Sequence, residues 1–200
     1  MFTTKMPLPI RRAGLVGAAA LAIAAIGAPS AGAEITSTSA CVNPVLTQPF
    51  LSSKDSNLYM LVPGQSSAGF NGSGWTLSGG ARVLASGGRT VLDLPSGSTA
   101  VSPTVCVTAE YPRARMMVRN AVGAEGVFFY VSYANTATWN QPKNTGQVHG
   151  EGTATTLSDP VNLQPPNTSG WLLARFTLVP GGKSSDFQIS EFWVDPFARR

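Results

Sequence analysis

From Cys41 onward the chain is built of short apolar runs broken by clusters of Gly, Pro, Ser and Asn. Long stretches with apolar residues at helical spacing are absent, and β-branched and aromatic residues fill the runs instead. The pattern predicts strands over Cys41–Leu46, Asn57–Val62, Trp75–Leu77, Ala81–Ala85, Thr90–Leu94 and Thr104–Thr108. Further strands follow over Ala114–Asn120, Val127–Tyr133, Thr153–Leu157, Trp171–Val179 and Phe187–Val194. Pro63-Gly64, Gly79-Gly80, Gly87-Gly88, Pro95-Ser96-Gly97 and Pro180-Gly181-Gly182 mark turns between them. Many short strands at close spacing imply a sandwich or barrel rather than βαβ units.

Strand periodicity also assigns faces, because successive side chains point to opposite sides of a sheet. In Trp171–Val179, Leu172, Ala174, Phe176 and Leu178 form an apolar side, and Trp171, Leu173, Arg175 and Thr177 a mixed one. In Arg113–Arg119, the arginines Arg113, Arg115 and Arg119 fall on one face with Met117. Val127–Tyr133 is apolar or aromatic on both faces, the pattern of a central strand covered on both sides. Ala134 to Gly152 has the weakest strand signal. Its Trp139, Gln141, Asn144 and His149 mark it as a functional loop.

The N-terminus follows a different logic. Lys5, Arg11 and Arg12 precede an uncharged stretch from Ala13 to Ala28, and Ala31-Gly32-Ala33 supplies small residues before Glu34. A positive head, an apolar middle and a small-residue exit define a cleavable secretory signal over residues 1–33. The apolar run is shorter than the roughly 20 residues of a bilayer span. Residues 34–40 then read as a loose tail and residues 41–200 as a single β-sandwich domain, secreted and extracellular.

Removing the signal changes the charge. It holds three of the 14 basic residues and none of the 10 acidic ones, which leaves a formal charge of +1. A near-neutral product argues against nucleic acid, or a membrane after cleavage, as a partner. Two cysteines, Cys41 and Cys106, remain in an exported chain, where a pair is presumptively a disulfide. Closing a loop of about 65 residues stabilises a fold by roughly 4 kcal/mol in the chain-entropy account.

Five segments carry a resemblance: Phe70-Asn71-Gly72-Ser73-Gly74-Trp75, Val91-Leu92-Asp93-Leu94-Pro95, Ser102-Pro103-Thr104-Val105-Cys106-Val107, Arg175-Phe176-Thr177, and Phe187 to Pro196. Their order resembles a family of uncharacterised secreted bacterial proteins, itself similar to the galactose-binding-like jelly-roll sandwiches that include many carbohydrate-binding modules. The resemblance implies an all-β, two-sheet antiparallel jelly-roll sandwich, with a Cys41–Cys106 bridge tying the N-terminal segment to an inner strand. It departs from the pattern in two places. Asn71 stands where those modules often have Glu, and Ser190-Glu191 follows Ile189 where they often have Asp-Asp. Both changes put in doubt the structural calcium site such modules carry, and no metal or other cofactor is expected.

Sugar recognition needs flat apolar surfaces for C–H faces and planar hydrogen-bonding groups for hydroxyls. The residues that supply them are Arg115, Arg119, Tyr130, Trp139, Gln147, His149, Trp171, Arg175 and Trp193. Trp75, after a Gly turn, reads as core, and Trp139 as the exposed aromatic. Glu191 and Asp195 are placed to pair with Arg119 and Arg175 across the sheet, a structural alternative to ligand binding. Gln147-Val148-His149 matches the Gln-x-His strand of one jelly-roll class of polysaccharide lyases, but the Tyr- and Lys-bearing terminal motif of that class is missing. Serine-hydrolase, dinucleotide and P-loop motifs are absent, and no spacing selects a carboxylate pair. The leading expectation is a secreted, non-catalytic module that binds carbohydrate or cell-envelope glycan. The alternatives are a lyase-like enzyme using His149 and a surface domain with a structural or protein-interaction role.

Overall fold

The computed structural model describes residues 34–135 and 138–197. The signal segment expected over residues 1–33 lies outside the described residues. Strands β1 (Met60–Leu61), β2 (Gln65–Ser66), β3 (Gly69–Phe70), β4 (Thr76–Ser78) and β5 (Arg82–Ser86) lead into β6 (Arg89–Pro95). Then follow β7 (Thr99–Val101), β8 (Val105–Thr108), β9 (Arg113–Val122), β10 (Val127–Ala134) and β11 (Lys143–Val148). The chain ends with β12 (Thr156–Leu157), β13 (Val161–Asn162), β14 (Trp171–Pro180) and β15 (Asp186–Asp195).

These strands form the expected two-sheet jelly-roll sandwich. A nine-stranded sheet runs β12-β9-β15-β6-β3-β2, with β13 also on β9, β1 on β15 and β5 on β6. A six-stranded sheet runs β11-β10-β14-β7-β4, with β8 also on β14. Pairing is antiparallel except for a single parallel contact of β3 with β6 at Gly69 and Thr90. The long pairs β9/β15 and β10/β14 form the middle of each sheet. Their inward residues include Met116, Val118, Phe129, Val131, Phe176, Leu178, Phe187 and Phe192, all fully buried. Phe192 sits among Trp75, Phe129 and Phe176, with ring centroids 6.2, 5.7 and 5.1 Å away. Such pairs add about 0.5–1.5 kcal/mol each beyond their burial. Trp75 is core as expected, and its indole N–H donates to the Pro63 carbonyl at 2.8 Å. Only glycine fits at position 64 beside it: φ is +84°, and a Cβ there would meet Ser73 O and Trp75 Cδ1 at 2.5 Å.

Four expectations change. Cys41–Leu46 is not a strand; an isolated bridge from Thr47 to Tyr59 follows just after it. Val42 and Val45 in Cys41–Leu46 are largely exposed, so only part of the apolar run that suggested a strand is packed. The segment read as a loop contains β11, a strand on the edge of the six-stranded sheet. Its sequence Lys143-Asn144-Thr145-Gly146-Gln147-Val148 is polar up to the buried Val148, so β11 shows no apolar alternation to read. Residues 34–40 are not loose: Glu34 bonds to Arg175 and Thr104, Ile35 packs beside Cys106, and Thr38–Ala40 forms a 3-10 turn. The Cys41–Cys106 disulfide is present, with Cα atoms 5.8 Å apart. Its partner strand β8 is not an inner strand, because it pairs only with β14 among the described residues.

Candidate functional site

The two sheets present two outer faces, and the nine expected ligand-binding residues divide between them. Arg115, Arg119 and Trp193 lie on the nine-stranded sheet. Trp139, Tyr130, Trp171, Arg175 and Gln147 gather on and around the six-stranded sheet. His149 follows the end of β11, exposed, with its imidazole beside Gly126. No hydrogen bond joins it to a tyrosine or arginine among the described residues.

On the nine-stranded face the cations and rings are engaged by the protein itself. Arg115 donates from Nη1 to Asp55 at 2.6 Å and from Nε and Nη2 to the Ser158 carbonyl at 2.9 and 2.7 Å. Its guanidinium also lies 5.5 Å from the centre of the Phe50 ring. Tyr59 donates its hydroxyl to Asp55 at 2.8 Å. Burial pushes the Asp55 carboxyl upward. Hydrogen bonds from Arg115, Tyr59 and the Asn57 N–H, with the Arg115 charge, outweigh that and hold it below the usual carboxylate range. Burial and the Asp55 contact push the Tyr59 phenol far above its ordinary value. Trp193 donates to Glu191 at 3.0 Å and packs edge-on against Phe50 at 6.1 Å. The segment that carries Phe50 and Asp55 therefore covers this end of the face.

Among the described residues, no ion pair joins Arg119 or Arg175 to Glu191 or Asp195 as expected. Glu191 pairs with Arg89 at 2.8 Å, and Arg82 pairs with the buried Asp93 at 2.6 Å. Arg119 makes long contacts of 3.4 Å to Ser86 Oγ and Gln188 Oε1 beside a hollow of about 270 Å³. Asp186 stands next to Asp93. Burial first, and then the Asp93 charge and hydrogen bond, raise its carboxyl against the opposing pull of Arg82 and Arg119.

The six-stranded face is more open. Its register places Asn144, Tyr130, Thr177, Val101 and Thr76 in one line across β11, β10, β14, β7 and β4. Phe128 and Tyr130 are half-buried on the outer side of β10, while Phe129, Val131 and Tyr133 point inward. This corrects the expectation of a strand covered on both sides. Tyr133, by contrast, donates to the Leu163 carbonyl at 2.6 Å, and burial holds its phenol well above the ordinary value. Tyr130 makes no side-chain hydrogen bond among the described residues, and Asn144 and Gln147 beside it are exposed. Arg175, two residues before Thr177, lies face-on over Trp139 at 4.1 Å and donates from Nε to Thr104 Oγ1 at 3.3 Å. Its Nη2 pairs with Glu34. A cleft of about 540 Å³ opens here, lined by Glu34, Asn71, Thr76, Val101, Thr104 and Arg175 among others. Trp139 is thus half-buried under a guanidinium rather than freely exposed. Trp171 packs on Phe197 at 5.3 Å and on the cluster around Cys106, Ala134 and Leu173, which gives it a structural part beside the disulfide.

Sequence reasoning missed Glu34, Thr104, Phe128 and Thr177. Phe128 and Thr177 were legible from strand alternation, since each shares a face with a named residue. Glu34 and Thr104 meet Arg175 across separations of 141 and 71 residues, and no local pattern carries such contacts.

The fold and its open face define the class as an all-β jelly-roll sandwich. No family model matches the chain, and no curated protein matches it. Solved structures similar to it include the second N-terminal cellulose-binding domain of β-1,4-glucanase C from Cellulomonas fimi, 20% identical over 72% of this chain and 97% of that one, with a TM-score of 0.46. The chain is also similar to the CBM22-1–GH10 modules of a Clostridium thermocellum xylanase complexed with xylohexaose, at 16% identity over 71% of this chain and 29% of that one, with a TM-score of 0.48. A family two carbohydrate esterase from Cellvibrio japonicus matches at 10% identity over 68% of this chain and 32% of that one, with a TM-score of 0.36. Similarity at this level assigns neither a ligand nor an activity to this chain.

Proposed function

We propose that this protein is a secreted, non-catalytic module that binds carbohydrate or cell-envelope glycan along the outer face of its six-stranded sheet. The observation that carries the reading is the line from Asn144 through Tyr130 and Thr177 to Thr76. A half-exposed phenol ring with an uncommitted hydroxyl offers a flat surface to a sugar's C–H face. The amide and hydroxyl groups on either side offer donors and acceptors to its hydroxyls. An extended sheet face suits an elongated ligand, and the cleft beside Arg175 and Trp139 gives the line a charged flank. A disulfide fits an oxidising, extracytoplasmic compartment.

A glycan array probed with residues 34–200 tests the reading. Retention on one glycan class that Tyr130→Ala abolishes, without loss of fold, is the expected result. Absence of retention on every glycan overturns it. Product release from a uronate polymer in a parallel assay overturns the non-catalytic part.

A further inference from the structure

The Glu34 carboxylate is held as a ligand carboxylate would be held. Its Oε1 accepts from Arg175 Nη2 and from the Thr104 hydroxyl, the latter at 3.3 Å, and Thr104 Oγ1 itself accepts from Arg175 Nε. The guanidinium that receives it lies over the Trp139 ring, 4.1 Å from its centre. Only one carboxylate oxygen is engaged among the described residues, so the two-pronged pairing that arginine offers a carboxylate is half used. The pair is also solvent-accessible, with the Glu34 side chain 54% and the Arg175 side chain 31% exposed. Exposed ion pairs of this kind are weak and easily exchanged. Seven residues later the chain is fastened by Cys41 to Cys106, so a released Glu34 stays close to its site.

We infer that Arg175, Thr104 and Trp139 form a carboxylate subsite beside the glycan line, that Glu34 occupies it when no ligand is present, and that the ligand class is an oligosaccharide carrying a uronate. The uronate carboxylate takes the Arg175 fork and the Thr104 hydroxyl in place of Glu34, while Trp139 keeps the guanidinium over its ring. The N-terminal segment then acts as a tethered competitor that sets a threshold for acidic glycans and leaves neutral ones unaffected. The inference rests on the glycan-binding reading but has its own readout.

The test is a titration of residues 34–200 with trigalacturonate and with a neutral galactan trimer, followed at the Trp139 indole N–H by NMR. Removing an exposed competing ion pair is expected to tighten trigalacturonate binding about fivefold in Glu34→Ala. Neutral binding should stay unchanged. Arg175→Met should abolish the acidic response, with an otherwise preserved spectrum showing that the fold is intact. Equal affinity in the parent and in Glu34→Ala overturns the inference, as does a Trp139 signal that trigalacturonate fails to move in Glu34→Ala. A Trp139 response with the Glu34→Ala gain intact, but no effect of Tyr130→Ala on any ligand, leaves the subsite standing and removes the line along the sheet.

Discussion

Both outer faces of the sandwich carry arginine and aromatic residues, yet the two faces use them differently. On the nine-stranded sheet Arg115 is saturated by Asp55, the Ser158 carbonyl and the Phe50 ring, and Trp193 is tied to Glu191 and Phe50. On the six-stranded sheet Tyr130 has a free hydroxyl among the described residues, and Arg175 holds an exposed carboxylate, a neighbouring hydroxyl and the Trp139 ring. The difference comes from what the flanking chain does. The segment around Phe50–Tyr59 folds over the first face and pairs its cation. The segment 34–40 touches the second at one end and leaves the line through Tyr130 uncovered. Residue type alone therefore does not separate a binding face from a braced one; the partners of each polar group do.

The comparison can be broken at several points. Cys106→Ser cuts the link that holds the N-terminal segment to the six-stranded sheet, and it should lower unfolding stability by about 4 kcal/mol in the chain-entropy account. Denaturant unfolding before and after reduction reads this directly, and an unchanged midpoint would show that the bridge is idle. Next comes Arg115→Met, which strands the Asp55 carboxylate on the braced face. Removing one partner of a largely buried pair costs roughly 3 kcal/mol, so the midpoint should fall while glycan retention by the folded fraction stays as it was.

Tyr130→Ala should do the opposite. Loss of one stacking ring is expected to weaken retention about tenfold. Stability should move by less than about 1 kcal/mol, because the ring is already half in water.

The smallest effects are those of pH on the braced face, and two of its carboxyls carry opposite signs. Asp55 titrates below its unfolded value. Its contribution is complete above the ordinary carboxylate range near about pH 4 and is lost as pH falls through the depressed value, so Asp55→Asn should flatten the acid limb of the stability curve. Asp186 titrates above its unfolded value. Its contribution is complete below the ordinary carboxylate range and is lost as pH rises through the raised value, so Asp186→Asn should stabilise slightly at neutral pH, with the gain vanishing in acid. Thermal melts across pH 3–8, on the order of one-unit steps, would show whether the two curves diverge in these directions.

Much of the sandwich was legible because its long strands are rich in apolar residues and largely alternate. β9, β10, β14 and β15 all lie where the pattern of Met116, Val118, Phe129, Phe176 and Phe187 places them. The short or polar strands were not. Gln65–Ser66, Gly69–Phe70, Thr99–Val101 and Val161–Asn162 are two or three residues long, too short for a period to register. Lys143–Val148 lies on an edge and carries a single apolar residue, the buried Val148, too little to betray it. For the site, alternation put Arg175 with Thr177 and grouped Arg115 with Arg119. It could not show which arginine finds a partner, because Asp55 is 60 residues from Arg115 and Glu34 is 141 from Arg175. Long-range pairing is set by the packing of the two sheets and their covering segments, which no single stretch of sequence contains.

The most direct measurement compares the two faces in one experiment. Residues 34–200, Tyr130→Ala and Arg119→Gln are applied to the same glycan array, with folding of each checked by its thermal melt. The account predicts that the parent and Arg119→Gln retain the same glycan class equally well and that Tyr130→Ala loses it. Loss in Arg119→Gln with retention in Tyr130→Ala would place binding on the nine-stranded sheet and contradict it.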